Sequence, residues 1–402
     1  MQYSKGITMK LTKKLGALLL AAVMLVSGCN TSDVVTTTAT QAPTEEITVT
    51  TTEETTTAEE TTTAEETTTA EETTTVEETT TVEETTTAET TAATTKAEES
   101  TAAAKGFYVD GTELYDANGN KFVMRGINHA HTWFKGELKT AIPAIAATGA
   151  NTVRIVLSNG HQWNKDSLES IKEIIELCKA NKLIAVVEVH DGTGSNDAGV
   201  LSGIVDYWIE MKDALIGNEA YVILNIANEW YGDWKVDEWA EAYINEIPRI
   251  RQAGIENLIM VDSAGWGQYP MSIAKKGKDV FEADPLKNTM FSIHMYGSAG
   301  GTEKVIKRNL DNVRKQDLCV IVGEFGFDHS DGDVKEMYIM EYCTEIGAGY
   351  LGWSWKGNGG GVEYLDIAKE WDGSVLSDNW GVNLIDGPHG IRATSQPCTV
   401  FE

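Results

Sequence analysis

The chain has 402 residues and carries 32 Lys and Arg against 61 Asp and Glu, a formal charge of −29 at pH 7. A chain that acidic repels polyphosphate backbones, which argues against a nucleic-acid partner. Its five cysteines (Cys29, Cys178, Cys319, Cys343 and Cys398) are far apart and form no CxxC pair, so neither a zinc ribbon nor a disulfide scaffold is suggested; Cys178, Cys319 and Cys343 fall on apolar faces and read as inert buried thiols.

At the amino terminus, Lys10, Lys13 and Lys14 precede an apolar run from Leu15 to Val26 that is too short to span a bilayer, the pattern of a secretory signal. The run ends in Val26-Ser27-Gly28-Cys29, which resembles a bacterial lipobox. Residues 1–28 are therefore expected to be a lipoprotein signal peptide, with Cys29 the acylated residue, and the protein to be exported and lipid-anchored to the membrane at the cell surface. Residues 36–104 are almost entirely Thr, Glu and Ala, with glutamate pairs recurring every six residues from Glu53-Glu54 to Glu83-Glu84. Such a segment has no apolar face to bury, so 29–105 is expected to be a disordered stalk. Like charges extend it, and ~3.1 Å per residue gives an upper reach of roughly 200 Å.

From residue 106 the composition becomes that of a globular domain, expected to run to 402. Short strands separated by Asp110-Gly111 and Asn118-Gly119 predict a β-hairpin lid or plug. Eight apolar strand-like runs follow, at 121–128, 150–157, 183–190, 221–228, 258–265, 289–296, 319–326 and 349–356. Between them lie amphipathic helices such as 166–181, opened by an Asp cap, and 237–253. Continuous apolar strands alternating with helices imply a parallel sheet covered on both faces. Eight such units in about 250 residues fit a (β/α)8 TIM barrel, and no GxGxxG or P-loop follows the early strands.

A barrel of this kind gathers its chemistry at the carboxyl ends of the strands, where this sequence turns polar. In order the ends carry Asn128-His129, His131 and Trp133; Arg154; His190-Asp191; Asn228-Glu229-Trp230; Gly265-Trp266; His294 and Tyr296; Glu324; and Trp353. Glu229 and Glu324 end the fourth and seventh strands and face one cleft. Two carboxyls are what glycosidic cleavage needs, one to protonate the leaving oxygen and one to attack or stabilise the sugar cation. Tryptophan and tyrosine suit the apolar faces of pyranose rings, and Asn, His and Arg suit their hydroxyls. The pair His129 and His131 also looks like the HxH motif of metal-dependent amidohydrolase barrels. That reading needs a His after the fifth strand and an Asp after the eighth, where Gly265-Trp266 and Trp353 stand, so no metal or cofactor is expected and the two histidines are assigned to the cleft wall, in contact with sugar or just behind it.

On the stretches RGINHAHTW, GANTVRIVLSNG, EVHD, NIANEWYG, DSAGWGQYP, FSIHMY, GEFG and GWSWKGN, residues 106 to about 397 resemble glycoside hydrolase family 5, and within it the bacterial endo-β-1,4-mannanases. The resemblance implies a retaining endo-acting hydrolase of mannan, galactomannan or glucomannan, with Glu229 as general acid/base and Glu324 as nucleophile. It also implies that Arg154 and Tyr296 flank the nucleophile, that Asn228 binds the sugar 2-hydroxyl, and that His190, His294 and Trp353 shape the subsite of cleavage. His131, Trp133, Trp230 and Trp266 complete the set of expected substrate contacts. An endo-β-1,4-glucanase or xylanase would share the chemistry, and a non-catalytic glycan-binding lipoprotein would keep the tryptophans but lose a carboxylate. A guanidinium and a phenol beside Glu324 would favour its ionised form, whereas Glu229, beside Asn228 and Trp230, would keep a proton near neutral pH. The expected partners are a β-mannan polysaccharide and, through the lipid alone, a membrane; the expected state is a monomer.

Overall fold

The computed structural model describes residues 105–402. The signal segment, Cys29 and the Thr/Glu-rich stretch lie outside the described residues. Strands β1 (Tyr108–Asp110) and β2 (Glu113–Tyr115) pair antiparallel around Gly111, whose φ of +57° suits a residue without a Cβ. The barrel strands are β3 (Arg125–His129), β4 (Thr152–Leu157), β5 (Ile184–Val189), β6 (Val222–Asn225), β7 (Ile259–Asp262), β8 (Thr289–Met295) and β9 (Val320–Phe325). A two-stranded ribbon, β10 (Asp328–His329) and β11 (Gly332–Asp333), then precedes the last barrel strand, β12 (Tyr350–Gly352). The eight barrel strands form a closed parallel sheet in chain order, with β12 paired to both β9 and β3.

The barrel strands are shorter than the apolar runs that predict them. The run at 221–228 leaves the sheet after Asn225, and the run at 258–265 after Asp262, because their last residues turn away to build the mouth. The expected hairpin is a plug rather than a lid. Phe107, Leu114 and Phe122 pack with Ile184, Ile223, Met260, Met290, Ile321 and Leu351 from the first halves of the strands, at the end of the barrel opposite the strand termini. The helix over Leu168–Ala180 is capped by Ser167, whose Oγ accepts from the Ser170 N–H, and not by Asp166. Asp166 is buried one residue earlier, where it accepts from the Ser158 N–H and from Lys135 Nζ.

Alternation along the strands stratifies the interior. On β5 the inward series is Ile184, Val186, Glu188; on β6, Ile223, Asn225; on β7, Met260, Asp262; and on β8, Met290, Ser292, His294. On these four strands the inward residues are apolar at the start and polar at the end. The residues between, such as Ala185, Val187 and Val189, point out into the core under the helices. Cys178, Cys319, Cys343 and Cys398 are all buried free thiols, and burial pushes each up to about 12. Since the apolar layer lies away from the mouth, Ile223→Ala should cost about 2–5 kcal/mol of stability while leaving KM unchanged. Denaturant unfolding and steady-state kinetics on the same preparation would check this.

Candidate active site

Arg154, fully buried on β4, organises the mouth. Its Nη1 donates to Glu324 Oε1 at 2.7 Å and to Asn128 Oδ1 at 3.0 Å, its Nε to Asn225 Oδ1 at 2.9 Å, and its Nη2 to Asn228 Oδ1 at 2.7 Å. Burial works against the guanidinium charge, but Glu188, Glu324 and Asp262 outweigh it and raise its pKa. Glu324 receives a second hydrogen bond from the Tyr296 hydroxyl at 3.0 Å, so each carboxylate oxygen accepts one. Tyr296 is fixed in turn by the β10–β11 ribbon: His329 packs on its ring at 4.5 Å, and Asp331 accepts from the Gly297 and Ser298 N–H groups that follow it.

Glu229 stands four residues beyond the end of β6 with φ of +44°, a left-handed conformation that costs a non-glycine residue energy. Asp262 holds it there by accepting the Glu229 N–H at 3.0 Å. The carboxyl reaches His294 Nδ1 at 2.8 Å. Burial, then the charges of Glu324 and Asp262, push the Glu229 pKa well above the usual carboxylate range. Burial also lowers His294 to about 3, so the imidazole is neutral at physiological pH. One oxygen of Glu229, one of Glu324 and a His294 nitrogen all lie within 4.8 Å of one another. Carboxyls about 5–5.5 Å apart suit a double-displacement mechanism, whereas roughly 6.5–9.5 Å would be needed to seat a water for inversion.

Aromatic side chains wall the cleft. Trp133, Trp163, His190 and Trp353 form a continuous group, with ring centroids 5.1 Å apart for Trp133 and Trp163, 5.2 Å for Trp133 and His190, and 5.7 Å for His190 and Trp353. Glu188 fixes His190 through Nδ1 at 2.9 Å, and the Asn228 amide, which also donates to Thr193 Oγ1, lies 3.3 Å from Nε2. Trp266 stands on the rim and is exposed.

Two expected substrate contacts are not in the cleft. Trp230 is 1% exposed, donates its indole N–H to the Asp197 carbonyl and packs on Tyr243, so it is a core residue. His131 is buried 3.5 Å from Asp166. His129 is buried against Trp371, with its pKa lowered to about 3 by burial and then by His131, because its position on β3 faces out of the barrel. Four contributors were not anticipated: Asp262, Glu188 and Asn225 inside the barrel, and Trp163 beside Trp133; Asn128, read as a strand-end residue without a role, proves to be an acceptor for Arg154. A charged residue within an otherwise apolar run, as in IMVD and IAVVEV, is the signal that could have marked the first two.

Together, a (β/α)8 barrel, a proton-retaining glutamate and a doubly hydrogen-bonded carboxylate within reach of it define a glycoside hydrolase of the retaining kind. Residues 115–359 match the model of Cellulase (glycosyl hydrolase family 5), and the chain belongs to that family. It is 58% identical over 296 residues to the mannan endo-1,4-beta-mannosidase of Salipaludibacillus agaradhaerens, a match covering 74% of this chain and 96% of that protein. It is 43% identical over 313 residues to the mannan endo-1,4-beta-mannosidase of Streptomyces lividans, covering 77% of this chain and 81% of the other. Among solved structures, the beta-mannanase from Thermomonospora fusca matches with a TM-score of 0.71 at 43% identity, over 74% of this chain and 99% of that one.

The charge of Asp262 helps to keep Glu229 protonated, and an asparagine there can still accept the Glu229 N–H. In Asp262→Asn, Glu229 should lose its proton at lower pH, so the alkaline limb of kcat/KM should move to lower pH. A pH–rate profile would read the shift; an alkaline limb that stays in place or moves up would contradict it.

Proposed function

We propose that the protein is a retaining endo-β-1,4-mannanase. The observation that carries the substrate assignment is the 58% identity to a mannan endo-1,4-beta-mannosidase along nearly all of that protein, joined to a carboxyl pair at the spacing for retention. Glu324, held by Arg154 and Tyr296, attacks the anomeric carbon while Glu229 donates its proton to the departing glycosidic oxygen. A covalent glycosyl-enzyme forms. Glu229, now ionised, takes a proton from the incoming water, which attacks the same carbon from the face the leaving group vacated, and the configuration is retained. His294 keeps the Glu229 carboxyl in place, and Asn228, fixed by Arg154 and Thr193, lies beside the nucleophile where a sugar 2-hydroxyl would fall.

Reducing-sugar release from pure β-mannan, carboxymethyl-cellulose and xylan in parallel tests the substrate. Mannan should be cleaved well ahead of the others, and preference for either rival would replace the assignment with a glucanase or a xylanase. The roles of the two glutamates separate by chemical rescue. Azide should restore Glu324→Ala with inversion and Glu229→Ala with retention, and Glu229→Ala should lose far more on substrates with poor leaving groups than on activated aryl glycosides. Reversed stereochemistry would exchange the roles.

We further propose that the chain is exported and held at the cell surface by lipid on Cys29, with the acidic segment as tether. The support is the Val26-Ser27-Gly28-Cys29 end of a short apolar run preceded by lysines. In a bacterial host the protein should partition into the detergent phase and Cys29→Ser should not; a variant that still partitions would remove the anchor.

A further inference from the structure

A carboxylate that takes no part in the mechanism above ties together the loops that follow three of the barrel strands. Asp331 sits at the bend of the β10–β11 ribbon, and four nitrogen atoms converge on it although the residue is partly exposed. Its Oδ1 accepts the Gly297 N–H at 2.9 Å and lies 2.5 Å from His329 Nδ1; its Oδ2 accepts the Ser298 N–H at 2.9 Å and the Gln268 amide at 3.2 Å. Gln268 belongs to the loop after β7, Gly297 and Ser298 to the loop after β8, and His329 to the segment after β9. The Gln268 side-chain oxygen also accepts the Ala299 N–H at 3.3 Å, so both ends of that amide serve the same junction. Burial opposes the Asp331 charge, but hydrogen bonds with His329 and the Ser298 N–H outweigh it and hold the carboxyl well below the usual carboxylate range. It is therefore a charged acceptor, and bonds to such a group are about twice as strong as neutral ones.

The backbone is shaped to let the ribbon come this close. A Cβ on Gly297 would lie 2.5 Å from the Asp331 carbonyl carbon and from the Gly332 nitrogen. Gly332, at φ of +140°, turns the ribbon back, a conformation that glycine adopts without strain. Val334 then pins the far end of the ribbon in the core, where a Cβ on Gly300 would meet its side chain at 3.1 Å. On the other side of the junction, Gln268 closes a turn in which Gly265, Trp266 and Gly267 have φ values of +65°, +58° and +70°.

Tyr296 is the residue this junction encloses. Gly297 and Ser298 follow it directly, and the His329 ring packs on its phenol at 4.5 Å. Beyond its χ angles a tyrosine side chain is rigid, so the backbone at the residue and the group packed on the ring set the direction of the hydroxyl. That hydroxyl donates to Glu324 Oε2 at 3.0 Å. The other charged or titratable groups facing Glu324 are Arg154, His294 at 3.6 Å and Glu229. Asp331 is bonded to none of these, and its path to the nucleophile runs through Tyr296.

We infer that Asp331 is a positioning residue for the nucleophile: by clamping the backbone after Tyr296 and the imidazole on its ring, it keeps the phenol hydroxyl aimed at Glu324 while the glycosyl-enzyme forms and breaks. The inference rests on the retaining-hydrolase reading above. A displacement of about 1 Å at a reacting group can cost about a hundredfold in rate. A contact that acts on the nucleophile and not on sugar binding lowers kcat and kcat/KM together and leaves KM in place.

Asp331→Ala should therefore lower kcat on mannohexaose by about tenfold to a hundredfold, with KM little changed. Its kcat/KM should fall by a similar factor on an activated aryl β-mannobioside, because the nucleophile is needed whatever the leaving group. Asp331→Asn, which keeps one acceptor oxygen, should recover part of the loss. The decisive comparison is a double-mutant cycle with Tyr296→Phe, which removes the hydroxyl itself: once it is gone, Asp331→Ala should cost little more. His329→Ala takes the same place in the cycle should circular dichroism and thermal unfolding show that Asp331→Ala does not fold. An unchanged kcat, with or without a raised KM, would overturn the positioning role, as would a loss confined to mannohexaose or losses that multiply in the double variant. Wild-type protein inactive on both substrates would overturn the hydrolase assignment and the positioning role with it, whereas an active wild type with multiplying losses would overturn the positioning role alone.

Discussion

The mouth of this barrel depends on a single buried cation. Taking a guanidinium out of water is costly, and it is tolerated only when its donors are satisfied and its charge is matched. Arg154 meets both conditions by engaging Asn128, Asn225, Asn228 and Glu324 at once, with Glu188 at 3.8 Å and Asp262 at 3.5 Å. Those partners come from β3, β5, β6, β7 and β9 and from the residues just beyond β6, so one planar fork sets the relative position of most of the barrel wall. Lysine could not replace it, because a single ammonium cannot address three asparagine carbonyls and a carboxylate along fixed directions.

The same cluster divides the labour of the two glutamates. Around one guanidinium lie four acidic side chains, Glu188, Asp262, Glu324 and Glu229, three of which approach Arg154 directly. The cation cannot neutralise them all. The group that can most readily stay neutral is the one that does not approach the guanidinium, and that is Glu229, whose carboxyl meets a neutral imidazole instead. Its raised pKa thus comes from burial first and then from the whole charge set. The expectation that Asn228 and Trp230 protect its proton named neighbours in sequence, whereas the charges that add to burial arrive from β7 and β9.

This marks what could be read without a structure. The eight strands, their order and both carboxyls at strand ends were legible because apolar runs punctuated by polar residues report a covered parallel sheet directly. Within such runs the two faces look alike, since both are buried. Period-two alternation therefore does not say that Glu188 and Asp262 point into the barrel or that His129 points out of it. Nor does it distinguish Trp230, which is core, from Trp234 four residues later, which is exposed. Both lie beyond the turn after Asn228, where the left-handed backbone at Glu229 takes the chain off the period-two pattern of the strand.

The stratified interior also explains how the fold tolerates such a site. Several buried polar atoms at the mouth lack partners among the described residues: Glu188 Oε2 makes no hydrogen bond, and His294 Nε2 lies 3.4 Å from Asp262 without forming one. Each is unfavourable for folding, as is the left-handed backbone at Glu229 and Trp266. Stability must come from elsewhere, and it comes from the layer where Ile184, Ile223, Met260, Met290, Ile321 and Leu351 meet the amino-terminal plug, together with the continuous apolar shell under the helices. Because β5, β6, β7 and β8 carry their apolar inward residues first and their polar ones last, these two demands fall at opposite ends of the same element. A substitution that improves packing below need not disturb the chemistry above. A substitution that relieves the frustration above, by contrast, would remove the electrostatic tension that keeps a proton on Glu229.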